Sequence, residues 1–284
     1  MNRRRFFRAF SLTPDWCLIG VNLWLLLAVF AAAAQAQSIV GVLGIEREVV
    51  AIETRLQGSR EVPVRGYTFR VGTINGRQVV VGRTAAGKVN AAIVATVLIG
   101  HFSPSALFFS GTAGAIDQAL RPGDVVLGTG VVQHDVGLLA AGGIERRGLR
   151  NSVTGEMDPL IVPAPEALLA AARRAIEGLT LTPIESADGK RMPRIVEGVI
   201  VTGDVFMSDV ARRDEIRSSL GASAVEMEGA AMVQACRQFA VPCLVVRSIT
   251  DRADGQAMTN YKQFIAAASE NAAALVAAII ARLP

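Results

Sequence analysis

Val225-Glu226-Met227-Glu228-Gly229-Ala230-Ala231, followed by Val245-Val246-Arg247-Ser248-Ile249-Thr250-Asp251, decides how this chain is built. A short extended run enters an Ala-rich helix over Glu228 to Phe239, and a strand over Pro242 to Ile249 follows. Glu228 marks the entry to the helix, and Asp251 lies just past the carboxyl end of the strand. In α/β folds such edges present polar side chains to a ligand crevice. Glu226 and Glu228 flank Met227 among small apolar residues, where a buried carboxylate needs a partner. Asp251 reads either as a site acid or, more plainly, as a helix cap or a salt-bridge partner of Arg247.

Outward from this stretch, strands alternate with helices. Ser38 to Gly44 is a buried strand without strict alternation, and Glu46 to Leu56 has helical spacing. Strands over Tyr67 to Ile74 and Gln78 to Arg83 are joined by Asn75-Gly76, a strong hairpin signal. Gly87 to Phe102 reads as an amphipathic helix. Ala106 to Ser110 reads as a strand that ends in a small-residue turn, Gly111 to Ala115. Asp124 to Gln133 is a strand opened by the Pro122-Gly123-Asp124 turn. Residues 137–163 lose periodicity and predict a long loop. Pro165 to Ile176 is a helix with Pro at its front, and Val196 to Thr202 is a strand. Ser208 is expected to cap the next helix, and Thr259 to Leu283 closes the chain as a long helix. The pattern predicts one α/β domain, a mixed central sheet between helical layers.

At 284 residues the chain has room for such a domain. Most of its formal net charge of +4 falls in the first 36 residues, where Arg3, Arg4, Arg5 and Arg8 face only Asp15. The remainder carries no basic stripe, which disfavours nucleic-acid binding. Residues 1–36 have a basic start, an apolar run from Cys17 to Ala34 and an Ala34-Gln35-Ala36 end, the pattern of an export signal peptide. Arg3-Arg4 followed by Phe6-Phe7 also resembles a twin-arginine signal, and an uncleaved membrane anchor is the other reading. Either way the globular part, 37–284, is expected outside the cytoplasm, in the periplasm or an equivalent compartment, touching a membrane only through its leader. Cys17 belongs to the leader, so Cys236 and Cys243 remain, with buried thiols as the expectation and a bridge as the alternative. With only His101 and His134 and no paired-cysteine motif, a zinc site is not expected.

Glu48, one turn into the first helix, reads as a site residue or as a solvent-facing complement to the helix dipole. Gly111-Thr112-Ala113-Gly114 has the small residues that let backbone N–H groups approach a ligand, but neither the P-loop nor the dinucleotide spacing. Phe206, between a strand and a helix, suits stacking on a planar ligand or a place in the core.

Taken in order, these motifs resemble the purine nucleoside phosphorylase/nucleosidase superfamily, most closely its methylthioadenosine/S-adenosylhomocysteine nucleosidases. The resemblance spans most of residues 38–283. It rests chiefly on the two opening segments, with Gly87-Lys88-Val89-Asn90-Ala91-Ala92, Ser110 to Gly114, Pro122 to Val126 and Thr202 to Phe206 in the same order. It implies a three-layer fold and cleavage of an N-glycosidic bond. Asp251 would protonate the purine at N7, Glu48 would orient or deprotonate the attacking water, and Glu228 would bind the ribose hydroxyls. Met227 would pack on the sugar, Phe206 would stack on the base, and the Met207 backbone would meet the base edge. Thr112, Ala113 and Gly114 would line the pocket, with Glu226 and Arg247 also in the binding set. No cofactor is implied, and relatives are commonly dimers. Phosphorolytic relatives carry an Arg two residues before the first glycine of that turn. This chain has Phe109 there, which favours hydrolysis. A phosphorylase and an exported nucleoside-binding module are the alternatives.

Overall fold

The computed structural model describes residues 38–186 and 189–284. The leader read over residues 1–36, Cys17 included, lies outside the described residues. β1 (Val40–Ile45) runs straight into α1 (Glu46–Glu53), and β2 (Gln57–Val64), β3 (Tyr67–Ile74) and β4 (Arg77–Thr84) form an antiparallel meander. Both meander turns put consecutive residues at positive φ: Arg65-Gly66 at 48° and 86°, Asn75-Gly76 at 50° and 77°. That is the type I′ geometry whose twist matches the flanking strands. β2 carries no strand pattern in the sequence, because Gln57-Gly58-Ser59-Arg60-Glu61 is a polar, exposed edge with no buried face to set a period.

The chain continues through α2 (Lys88–Phe102), β5 (Ala106–Ala115), β6 (Val125–Gln133), β7 (Gly137–Ala140), β8 (Gly143–Arg146), β9 (Val162–Pro163) and α3 (Glu166–Ile176). It ends with β10 (Ile184–Ser186), β11 (Gly189–Arg191), β12 (Ile195–Thr202), α4 (Val210–Leu220), β13 (Ala222–Glu226), α5 (Gly229–Gln238), β14 (Cys243–Asp251) and α6 (Ala257–Arg282). The expected loop over 137–163 therefore holds the β7–β8 hairpin and β9. The expected turn over Gly111 to Ala115 is the second half of β5. The helix after Met207 is capped by Asp209, which accepts from the Arg212 N–H at 2.8 Å, rather than by Ser208.

The 10-stranded mixed sheet has the order β13-β12-β6-β14-β5-β1-β4-β3-β2, with β9 added on β6. β1, β5 and β14 are mutually parallel neighbours, so their carboxyl ends share one edge. β13 also pairs with β5 through Ala224–Ala115 and Val225–Gly114, curling that half of the sheet closed. Both sheet faces are covered. Val42, Phe108 and Val246 pack with Ile52, Leu275 and Ile279 on one side. Leu43, Phe109 and Val245 pack with Leu98 and Met232 on the other. Burial on both faces is why β1, β5 and β14 read as continuous apolar runs. α6 is apolar and long enough to cross a membrane, but Val276, Ile279 and Ile280 are spent in this core.

Cys236 and Cys243 are bonded, with Cα atoms 6.4 Å apart. The bridge corrects the expectation of free buried thiols. The short return over 239–242 brings the end of α5 onto the start of β14, within bridging range.

Candidate active site

A cavity of about 180 Å³ opens at the carboxyl ends of β1, β5 and β14. Glu48, Thr112, Ala113, Gly114, Phe206, Met207, Glu226, Met227, Glu228 and Asp251 all line it. Of the residues expected at the site, Arg247 alone does not. It sits in mid-strand, 0% exposed, directly behind the carboxylates.

Arg247 is the hub of the charged layer. Its Nη2 bonds the Glu226 carboxylate and lies 3.5 Å from Glu228 Oε2, and its Nη1 lies 3.7 Å from Glu48 Oε2. The guanidinium stacks on the Phe109 ring, 4.2 Å from its centroid. Gly111 leaves room for this packing, since a Cβ there would collide with both Arg247 Nη1 and Glu48 Oε2. Glu226 is fully engaged: it accepts from Thr202 Oγ1, from Arg247 and from the N–H groups of Glu228 (3.1 Å) and Gly229 (2.7 Å). It therefore faces the cavity but closes the start of α5, leaving its neighbour Glu228 to reach a ligand. Glu228 Oε1 is held by the Gly87 N–H at 2.8 Å.

Glu48 accepts from Thr112 Oγ1 through Oε1, while its buried Oε2 has no hydrogen-bond partner. The solvent-facing reading of Glu48 is thus set aside: β1 enters α1 without a linker, and while Glu46 and Arg47 stay exposed, Glu48 and Val49 fall on the buried side of the first turn. One cation among three carboxylates cannot neutralise them all, and burial penalises each charge. Burial, with Glu226 adding to it, pushes Glu228 up to about 7 against the pull of Arg247. Burial likewise raises Glu48 above the usual carboxylate range, opposed by Arg247 and Thr112.

Asp251 stands apart from this cluster. Oδ1 accepts from the Ala253 N–H at 2.9 Å and Oδ2 from Thr250 Oγ1 at 2.8 Å. A bulge at Thr250 shifts the β5–β14 register between Ile249 and Asp251, turning Asp251 away from Arg247. The expected alternative, an Asp251–Arg247 ion pair, is therefore not formed. Gly114 makes room, as a Cβ there would lie 2.8 Å from Asp251 Oδ1. Burial raises the Asp251 carboxyl above its ordinary value, the Ala253 and Thr250 hydrogen bonds opposing it. The site thus holds two carboxyl groups that burial raises above their ordinary values, Asp251 with both oxygens hydrogen-bonded and Glu48 with one.

A sequence profile of the phosphorylase superfamily matches residues 38–281. The chain belongs to the phosphorylase superfamily. It is 34% identical over 248 residues to a 5′-methylthioadenosine/S-adenosylhomocysteine nucleosidase of Psychromonas ingrahamii, covering 86% of this chain and 99% of the relative. Among solved structures, the Neisseria meningitidis nucleosidase bound to methylthio-immucillin-A superposes with a TM-score of 0.73 at 29% identity. That match covers 86% of this chain and 99% of that one. The futalosine hydrolase of Helicobacter pylori superposes with a TM-score of 0.72 at 28% identity, covering 86% and 97%.

In this member of the superfamily the mouth of the cavity is aromatic. Phe206 is 41% exposed there and meets Tyr261 edge-on, ring centroids 6.1 Å apart. Tyr261, Met258 and Ile45 line the cavity and were not anticipated. The available signal was the Asp254-Gly255-Gln256 turn, which folds the first turn of α6 back over the end of β14. Among the described residues no Lys or Arg lines the cavity. Among the described residues no cluster of His, Cys, Asp and Glu is arranged to hold a metal ion. A larger cavity, about 450 Å³, lies at the opposite end of β14 beside Cys236 and Cys243. Its buried acid, Asp158, is already neutralised by Arg237 at 2.5 Å, so it offers no comparable chemistry.

Proposed function

We propose that this chain hydrolyses the N-glycosidic bond of an adenosine-type nucleoside, such as methylthioadenosine or S-adenosylhomocysteine, and releases the base. Bond breaking leaves an oxocarbenium-like sugar and a purine gaining negative charge. Asp251 delivers its proton to N7 of the purine as the C1′–N9 bond breaks, so the bond's electron pair departs on a neutral base. A water oxygen bonds C1′ from the opposite face, and its proton passes to the Glu48 carboxylate. Glu228 takes the ribose hydroxyls and Met227 packs on the sugar. Phe206 stacks on the base and the Met207 backbone meets its edge.

The observation that carries hydrolysis over phosphorolysis is the absence of Lys and Arg from the cavity wall. Arg247 is already shared by carboxylates, and Phe109 lies beneath it. A phosphate dianion finds no charge-assisted donor there. The expected result is adenine release from methylthioadenosine at the same rate with and without added phosphate. Strict dependence on phosphate points to a phosphorylase. Tight binding with no release points to a nucleoside receptor.

We also infer that a second copy of the chain covers the cavity mouth. Val205 and Phe206 are exposed apolar residues on the cavity wall, and Val89 (67% exposed), Leu138 and Leu139 (78%) are exposed apolar residues that follow Lys88 and Asp135, which are tied to Asp204. An apolar rim of this kind marks a protein interface. Light scattering on the purified protein should give a dimer mass, and Leu139→Glu should shift it towards monomer. A monomer in the unmodified protein would rule out this assembly.

A further inference from the structure

Two segments of the cavity wall, Ala86 and Val205 to Met207, are each continuous with a charged group that does not line the cavity. Lys88 Nζ bonds Asp135 Oδ1 at 2.7 Å, and Asp135 Oδ2 accepts from the Asp204 N–H at 2.9 Å. Asp204 Oδ1 in turn accepts from the Lys88 N–H at 2.8 Å and lies at the start of α2. The residue before, Gly87, gives its N–H to Glu228 Oε1 at 2.8 Å. Gly87 adopts φ 100°, a conformation costly for any residue with a Cβ, and a Cβ there would stand 3.2 Å from Asp204 Oδ1. Three chain segments that begin about fifty and seventy residues apart, at 87–88, 135 and 203–204, are thereby joined by a closed ring of hydrogen bonds.

We propose that Lys88, Asp135 and Asp204 are positioning residues that set Glu228 through the Gly87 N–H and set Phe206 through the 204–206 backbone. The proposal rests on the reading of Glu228 as the ribose ligand. The geometry is selective in its purpose. A ring of this kind is not needed to hold β6 and β12 together, since their backbones already pair from Val125–Ile195 to Gln133–Thr202. What lies beyond that pairing is the loop after Thr202 and the turn before α2, and these are the two segments that the ring fixes. Lys88 and Asp135 are largely sheltered, at 16% and 23% side-chain exposure, so their ion pair is less screened than a surface pair. Burial opposes the Asp135 charge, but Lys88 and the Asp204 N–H outweigh it and hold the carboxyl below its usual range.

The test compares native protein with Asp135→Ala and Asp135→Asn on methylthioadenosine and on its 2′-deoxy and 3′-deoxy analogues. Asp135→Ala is expected to raise KM about tenfold, because a displaced wall costs binding and alignment without removing a reacting group, with kcat falling less. Asp135→Asn, whose amide oxygen still accepts from the Asp204 N–H, should fall between. The penalty for a missing ribose hydroxyl should shrink in Asp135→Ala, since Glu228 is already misplaced there. A merely structural role would leave that penalty unchanged, and finding it unchanged overturns the proposal. Hydrogen exchange supplies an arm that needs no turnover. Peptides covering 84–90 and 203–208 should exchange faster in Asp135→Ala while those covering β14 do not. Unchanged exchange at both segments sinks the ring as a positioning device, even where hydrolysis is seen. Absence of hydrolysis by the native protein sinks the proposed activity and leaves the exchange result to decide the ring.

Discussion

Asp251→Asn lowers turnover by about a thousandfold while the protein keeps its fold, within the range set by loss of a general acid. Asparagine retains an oxygen for the Ala253 N–H, and the Thr250 hydroxyl rotates to accept from the new amide, so both local contacts persist. What is lost is the transferable proton. Because that proton matters only as the glycosidic bond breaks, kcat and kcat/KM should fall together. The native enzyme should lose activity as pH rises through the raised Asp251 value, when the acid becomes a carboxylate. The variant should lack that limb. Adenine release followed against pH, alongside a melting curve, reads both. A variant within a few-fold of native activity would remove Asp251 from the acid's role.

Arg247→Met should be the most destabilising single change near the site, costing about 3–5 kcal/mol at neutral pH because it strips the partner from buried carboxylates. Methionine keeps apolar contact with Phe109, so the loss is mainly electrostatic. The sign with pH follows from proton binding. Glu228 is raised to about 7 from 4.5 in the folded protein, so the folded state holds more protons than the unfolded chain between those values. Stability from this group is therefore full below the unfolded value and is lost as pH rises through the folded one. Removing the guanidinium raises the folded values further, which extends that decline to higher pH. The deficit of Arg247→Met against native protein should be small at about pH 5 and large at about pH 8 in urea denaturation. Equal deficits at both would mean that Arg247 acts through packing alone.

Much of this site is legible in the sequence because buried β14 and β1 announce themselves as apolar runs and carry Asp251 and Glu48 at or just past their carboxyl ends. Four things were not legible. Gly111 and Gly114 have the composition of a turn, yet they are strand residues whose missing side chains make space for Arg247, Glu48 and Asp251. Arg247 and Asp251 are four residues apart, which puts them on one face of a regular strand. The bulge at Thr250, invisible in composition, breaks that alternation and sends Arg247 to the three glutamates instead. Tyr261 lies in an expected helix, but its arrival at the cavity depends on how tightly the chain reverses after Asp254. Of the ring, Lys88 and Asp204 sit within quoted motifs and Asp135 does not, and only the fold brings the three together.

The roles proposed for Glu48, Glu228 and Asp251 have a consequence for the order of events in synthesis. Glu48 belongs to the first described helix and Asp251 to the end of the last described strand, and the guanidinium that faces Glu48 comes from that same strand. A nascent chain carries no working centre until Asp251 has emerged, so catalytic competence arrives in one step rather than growing with length.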